Sequence, residues 1–374
     1  MKIKAAVLWE NAKPRPYAES LPLCIDEIEL DPPNAGEVLV QIKAAGLCHS
    51  DLVAINGERA KPTPMVIGHE AAGIVAELGP GVDKFKVGDH VVPAYVSSCG
   101  QCEMCSQGRP ALCAPATVAN AAGTLRDGTT RLHRDGQRIH HHSGVAAFAE
   151  YAVISKDALV KIDETIRFEH AALFGCAVVT GVGSVVNTAQ LSAGQSVAVV
   201  GLGGVGLSAL LAAKAAGASQ IIAIDIHKDK LDLALELGAH DAVNAGKVGV
   251  VESVRTMTDG GVHLAIEAAG SSRALDTAYA VTRRGGTTVA AGMPGPDAAF
   301  TIPHLSLSAE ERTLKGSYMG SCIPSRDIPR FLALFSDGRL PVDRLMSRSI
   351  GFDGLNAALD RLDDGATVRE ILVP

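Results

Sequence analysis

The sequence predicts an α/β protein of two domains, a β-rich one interrupted by a doubly wound parallel sheet. Three observations carry this. Roughly the first 170 residues are rich in valine, glycine and short alternating runs. From about Ser184, apolar strands alternate with helical segments. Where the first of those strands meets its helix, the chain reads GLGGVG.

Composition bounds the answer before any motif does. A chain of 374 residues, 47% hydrophobic, is long enough to bury two cores. Its 39 glycines and 4% aromatics imply many tight turns and close backbone approaches. A net charge of -7 and the lack of a basic run argue against a nucleic-acid partner. The opening MKIKAAVLWEN is too short in apolar residues for a secretory leader, and no window holds the ~18 apolar residues of a membrane span. A soluble, cytoplasmic protein with no membrane partner is expected.

In chain order, EVLVQIKAAG, EAAGIVAELG and GDHVVPAYV alternate as strands do, with turn residues between them. Cys99, Cys102, Cys105 and Cys113 follow within fifteen residues. Four thiolates on short loops suit a tetrahedral zinc ion, and a filled coordination shell makes such a site structural. An iron–sulfur cluster is the rival occupant, and free loop thiols the plainest reading. The histidine run His140–His142 reads as a solvated loop.

The second half begins with the strand SVAVV. Gly201, Gly203, Gly204, Val205 and Gly206 then form the turn into the helical segment VGLSALLAAKAAG. The first motif glycine permits the turn, the second lets a pyrophosphate approach the backbone, and the third lets helix and strand pack closely. The strand QIIAID ends at Asp225, nineteen residues after Gly206. A carboxylate there accepts from both ribose hydroxyls and repels a 2′-phosphate, which favours NAD over NADP. The segments HKDKLDLALELGA, VHLAIEA, SRALDTAYAV and TTVAAG continue the alternation.

Cys48, His69 and Cys176 are too far apart for spacing to join them, and a lone cysteine is more often a small core residue. Their flanks are GLCHSD, GHEAAG and GCAVVTG. With GHEAAGIV, the four-cysteine segment, GLGGVGLSA and IDIHKDK in this order, the chain resembles the zinc-containing medium-chain alcohol dehydrogenases nearly end to end. The resemblance implies a GroES-like catalytic domain over 1–180 and 322–374, with a zinc lobe at 97–115, and a Rossmann domain over 181–321. It implies two zinc ions per chain: a structural one in the lobe and a catalytic one on Cys48, His69 and Cys176, with Glu70 close by. Asp51 matches the carboxylate that orients the histidine ligand. Ser50 matches the hydroxyl beside the substrate oxygen. Some relatives end the proton relay on a histidine where this chain has Val53, so water or another group is expected to finish it.

By the same resemblance His49 and Arg369 match pyrophosphate contacts, Lys230 matches a residue near the adenosine ribose, and Thr180 and Val205 match positions beside the nicotinamide. Tyr95 lines the substrate pocket with Ser50; Val53, Val118 and Tyr318 are weaker positional matches. The expected reaction is reversible hydride transfer between a primary alcohol or aldehyde and NAD. The long segment from Cys113 to Tyr151 is similar to that of thiol-dependent formaldehyde dehydrogenases, of glutathione or mycothiol type. The position of their adduct-binding arginine is Thr117 here, and Arg59 is a poor substitute. A catalytically inactive nucleotide-binding or structural protein would have lost one of the three scattered ligands, and a zinc hydrolase has no use for GLGGVG. Family members are homodimers or homotetramers, and TTVAAGMPG with the segment up to Tyr318 is the expected pairing edge.

Overall fold

The computed structural model describes residues 1–374. Contacts divide the chain into two units, one of Met1–Cys176, Ile323–Leu332 and Asp343–Pro374, the other of Ala177–Cys322 and Ala333–Val342. No single helix is long and apolar enough to cross a membrane.

In the first unit the alternating runs become the strands Glu37–Gly46, Glu70–Leu78 and His90–Pro93. They lie side by side in a sheet ordered Leu159–Lys161, His90–Pro93, Glu70–Leu78, Glu37–Gly46, Arg369–Leu372, Met346–Ile350. Tyr151–Ser155 also pairs with Glu37–Gly46. A closed barrel stands beside this sheet, built from Lys2–Leu8, Leu23–Leu30, Leu132–Arg134, Gln137–His141 and Met65–Val66. The two-residue period of a strand explains how one segment serves two cores. Val38, Val40 and Ile42 pack into a cluster with Leu52, Ile67 and Phe148. Leu39 points the other way, into a cluster with Val66, Ile139 and Val153.

The histidine run is not a solvated loop. His140 and His141 end the strand Gln137–His141, which pairs in parallel with Met65–Val66. His141 is fully buried, and its Nε2 accepts the Arg131 N–H at 3.1 Å. His142 opens a 3-10 turn and is also buried. Three consecutive polar side chains resemble surface when read along the chain, but barrel closure sets a register that buries His141 and leaves His140 half-buried, and the turn that follows buries His142.

The second unit holds a six-stranded parallel sheet ordered Asp241–Asn244, Gln220–Asp225, Ser196–Val200, Val262–Glu267, Thr282–Ala290, Thr313–Gly316. Parallel strands covered on both faces need continuous apolar runs. Ser196–Val200 is buried at every position. Helices Gly204–Ala215, Lys228–Leu237 and Ser272–Val281 alternate with the strands. Strand order reverses between Ser196–Val200 and Val262–Glu267, so Gly201 and Glu267 stand at the topological switch point, where open α/β sheets bind ligands. The edges of this sheet are Asp241–Asn244 and Thr313–Gly316. TTVAAG belongs to a strand paired on both sides, so only the latter part of the expected pairing segment is an edge.

Candidate active site

Cys48 leaves the strand Glu37–Gly46 in an extended conformation and caps the helix His49–Ile55. The third residue of that helix, Asp51, turns back so that its Oδ2 accepts the Cys48 N–H at 2.9 Å. Its other oxygen, Oδ1, lies 2.9 Å from His69 Nδ1. His69 itself precedes the strand Glu70–Leu78. Cys176 follows the 3-10 turn Leu173–Gly175 and ends the first stretch of this unit. The two sulfurs and an imidazole nitrogen come within 4.8 Å of one another, and all three residues are buried.

The electrostatics are those of a cation site. A hydrogen bond from Cys176, with the Arg369 and His69 charges, holds the Cys48 thiol well below its ordinary pKa against the opposing effect of burial. Cys176, the donor of that pair, is pushed up by Cys48 and by burial. Burial alone would lower the His69 pKa, but Asp51 and Cys48 raise it. Asp51 is 0% exposed, and burial there favours the neutral acid; the two imidazoles beside it, His69 and His142, hold it ionised instead. Two soft sulfurs and an imidazole, desolvated and electron-rich, are a donor set that zinc fits, and three donors fill only three of its four usual tetrahedral positions.

Glu70 sits next to the triad because Gly46, its register partner on the neighbouring strand, has no side chain. A Cβ at Gly46 would lie 2.4 Å from Glu70 Oε1. Arg369 is buried in the strand Arg369–Leu372, with Nε 3.4 Å from Glu70 Oε1 and Nη2 3.8 Å from Cys48 Sγ. The partners of this guanidinium in the first unit are thus Glu70, Cys48 and the Leu47 carbonyl. The Tyr95 ring meets the His69 ring edge-on at 5.7 Å. Ser50 is half-buried, His49 exposed and Val53 buried. Val118 is 70% exposed.

The four lobe sulfurs also gather within 4.8 Å, and none is in a disulfide. Backbone N–H groups point into the cluster: Cys99 N donates to Cys113 Sγ and Cys102 N to Cys99 Sγ. The Cys105 N–H helps draw the Cys102 pKa down to about 6, while burial pushes Cys105 up to about 12. Thiols that divide in this way are set to lose their protons to a shared cation.

In the second unit the motif glycines separate by role. Gly201 has a φ of +92° and lies against Ala269. A Cβ on Gly206 would fall 1.8 Å from the Gly201 carbonyl oxygen. A Cβ on Gly203 would meet nothing within 4 Å, so its face is open to a phosphate. Gly204 starts the helix and Val205 is half-buried beside it. Asp225 accepts from the Leu202 N–H at 2.6 Å and from the His227 N–H at 2.9 Å, which ties the glycine turn to the next strand. A carboxylate offers about four acceptor sites, so ribose hydroxyls still find some. The Thr180 hydroxyl is buried with no partner, and Lys230 is half-buried on the helix Lys228–Leu237.

Two residues at these sites escaped sequence reasoning. Glu267, at the switch point, accepts from the Ala269 and Gly270 N–H groups and fixes the loop against Gly201. Its signal was a carboxylate closing the apolar strand VHLAIE. His142 lies 3.0 Å from Asp51 Oδ1, with its ring 5.0 Å from that of His69. Only the register of the barrel strand could have revealed it.

Two family models match the chain. Residues 34–164 match the alcohol dehydrogenase GroES-like domain, and residues 204–337 match the zinc-binding dehydrogenase domain. Among solved structures, an alcohol dehydrogenase zinc-binding domain protein from Burkholderia ambifaria is 34% identical, with TM-score 0.94 over 100% of this chain and 99% of that one. Benzyl alcohol dehydrogenase from Acinetobacter calcoaceticus is 32% identical, with TM-score 0.93 over 100% and 99%. A zinc-binding dehydrogenase from Sinorhizobium meliloti, bound to NADP, is 25% identical, with TM-score 0.83 over 100% of both chains.

Proposed function

Because the chain belongs to the medium-chain, zinc-binding alcohol dehydrogenase family, we propose that it oxidises a primary alcohol to its aldehyde with NAD, reversibly. The observation that carries this is the convergence of Cys48, His69 and Cys176 in a chain that also builds a complete dinucleotide turn. One zinc would be held by those three residues and a second by Cys99, Cys102, Cys105 and Cys113. When bound, the catalytic ion supplies Lewis acidity that lowers the pKa of an alcohol hydroxyl, and NAD supplies the hydride acceptor. The balance is alcohol plus NAD⁺ to aldehyde plus NADH and one proton.

The remaining chemistry belongs to the chain. Ser50 takes the hydroxyl proton and passes it on, and with Val53 in place of a histidine, water or another group receives it. Asp51 fixes the His69 ring through Nδ1, so that Nε2 is the nitrogen available to a cation. Arg369 offsets the Glu70 charge beside the site. Gly203 admits the pyrophosphate, with Gly201, Gly204, Val205 and Gly206 forming its cradle, and His49 and Arg369 are further anion contacts. Thr180 offers its unpartnered hydroxyl to the carboxamide end of the cofactor. Lys230 serves the ribose end. Asp225 selects NAD, in contrast to the NADP found in the Sinorhizobium meliloti relative. Tyr95 and Ser50 flank the substrate, and the benzyl alcohol dehydrogenase relative makes aromatic primary alcohols the first compounds to try. By analogy with the family, the working form is a homodimer or homotetramer joined at the Thr313–Gly316 edge.

One observation supports a second reading. Arg59 Nε is buried without a partner, and a carboxylate-bearing thiol adduct of formaldehyde could satisfy it. NADH absorbance over a panel of aliphatic and aromatic alcohols, with and without glutathione, tests both. Turnover of benzyl alcohol without thiol supports the first. Activity on formaldehyde that requires glutathione replaces it with the second.

A further inference from the structure

Beside the triad the chain carries a pair of cations with nothing to answer them. Helix His49–Ile55 holds Ser50 and Asp51 on its first turn, and the chain leaving its far end folds back, the Arg59 N–H donating to the Val53 carbonyl at 3.0 Å. Beyond it, the Lys61 carbonyl accepts from Asn11 Nδ2 at 3.1 Å, and the Pro64 carbonyl accepts the His140 N–H at 2.8 Å. Segment 59–64 therefore runs from the helix that bears Asp51 to the barrel strand that leads into His142. Lys61 lies within electrostatic reach of His142, whose ring is 5.0 Å from that of His69. Neither the Arg59 guanidinium nor the Lys61 ammonium has a hydrogen bond or ion pair within the chain, although both residues are half-buried and Arg59 Nε is shut away from water. Of the acids close by in sequence, Glu10 pairs with Lys13 at 3.0 Å and Glu58 is exposed. The three arginines that are buried outright are all matched: Arg131 by Glu37, Arg312 by Glu310 and Arg369 by Glu70.

We propose that Arg59 and Lys61 form a carboxylate subsite beside the triad, so that the favoured substrate carries a carboxylate as well as its hydroxymethyl group. The proposal rests on reading Cys48, His69 and Cys176 as the place where the hydroxyl is oxidised. Two like charges drawn partly out of water cost free energy until an anion joins them. Burial first, and then the Arg59 charge, lowers the Lys61 pKa, as expected of a cation without its counter-charge. The planar fork of Arg59 suits the two oxygens of a carboxylate, and Lys61 adds a point charge. A neutral substrate would leave the Arg59 Nε–H unpaired and out of water, and that penalty makes the discrimination steep. The carboxylate can belong to the alcohol itself or to the thiol of a formaldehyde adduct; the chemistry that Arg59 and Lys61 recognise is the same.

The test compares 4-(hydroxymethyl)benzoate, benzyl alcohol, and formaldehyde with glutathione on the full, zinc-loaded chain, in the wild type, Arg59→Gln and Lys61→Gln. A carboxylate-bearing substrate should exceed benzyl alcohol in kcat/KM by about a hundredfold, and each variant should cut that ratio by about tenfold, chiefly through KM. Preference for 4-(hydroxymethyl)benzoate assigns the carboxylate to the alcohol; formaldehyde turnover that requires glutathione assigns it to the adduct. Arg59→Glu should shift preference toward 4-(aminomethyl)benzyl alcohol, which loss of a purely structural arginine would not do. If an Arg59 variant does not fold by circular dichroism, Lys61→Gln carries the same expectation. Equal kcat/KM for 4-(hydroxymethyl)benzoate and benzyl alcohol, with no thiol-dependent activity, overturns the proposal, as does a ratio that both variants leave unchanged. If no substrate is turned over at all, the three-residue reading fails instead, and calorimetry with benzoate decides the subsite: binding to the wild type that both variants abolish keeps it, and no binding removes it.

Discussion

The lobe and the buried triad are two clusters of soft donors in one unit, assembled in opposite ways. The lobe draws four cysteines from fifteen residues, and only Cys113 is buried. The triad draws three donors from positions spanning 48 to 176, and all are buried. Closing short loops is entropically cheap, so the lobe can form around an ion without help from distant structure. The triad has no such option. Its donors meet because a helix cap, the start of a strand and the end of a 3-10 turn are already fixed by the sheet. On the proposed reading, a lobe ion would organise its own loop, whereas at the triad the chain presents the donors ready-made.

The contrast can be broken most directly at Cys176. Cys176→Ser should lower turnover by at least about a thousandfold, equivalent to roughly 4 kcal/mol, while the lobe ion and the melting temperature stay near wild type. Metal analysis still giving two ions per chain, with kcat intact, would erase the distinction. Cys105→Ser should do the reverse. One ion is lost, the melting temperature drops by about 5 °C, and activity declines only as the protein unfolds, as paired calorimetry and assays would show.

Acid sharpens the comparison, because a buried imidazole, His141, lies in the barrel strand Gln137–His141 and none lies in the lobe. Burial, with Arg131 nearby, pulls His141 down to about 3, against an unfolded value near 6.5. A lowered histidine pKa means that the unfolded chain takes up the proton first. This contribution is intact above about pH 6.5 and erodes as pH falls toward about 3, by roughly 2 kcal/mol at about pH 5. Denaturant titrations of the wild type and His141→Gln should differ in slope over that window, and equal slopes would refute the assignment. The smallest effect is expected of Gly46→Ala, whose methyl group must displace the Glu70 carboxylate. It should lower kcat about tenfold, or ~1.4 kcal/mol, with both ions retained. An unchanged kcat would show that Glu70 can move aside freely.

What the chain order reveals follows the same division. The lobe was legible from spacing alone, and the parallel sheet from alternation, down to strands such as Ser196–Val200 and Gln220–Asp225. Motif glycines 201, 203 and 206 could be given separate roles because each role is a local demand on the backbone. The triad became legible only through its resemblance to a family, since nothing local says that Cys176 approaches Cys48. His142 and Glu267 were missed for a related reason: their partners, Asp51 and the loop after Glu267 against Gly201, are set by register and strand order. The run 140–142 misled because polarity was taken for exposure, whereas the pairing of His141 with Val66 decides the matter.

The strand Arg369–Leu372 runs between Glu37–Gly46 and Met346–Ile350. During synthesis, a nascent chain that has emerged as far as Cys176 already carries every triad donor, yet its sheet lacks two strands and Glu70 lacks its guanidinium. Both arrive only after the entire second unit has left the ribosome. Premature termination anywhere in that unit would therefore release a polypeptide with all its metal-binding residues and an open sheet edge, a species suited to scavenging ions and to clumping rather than to turnover.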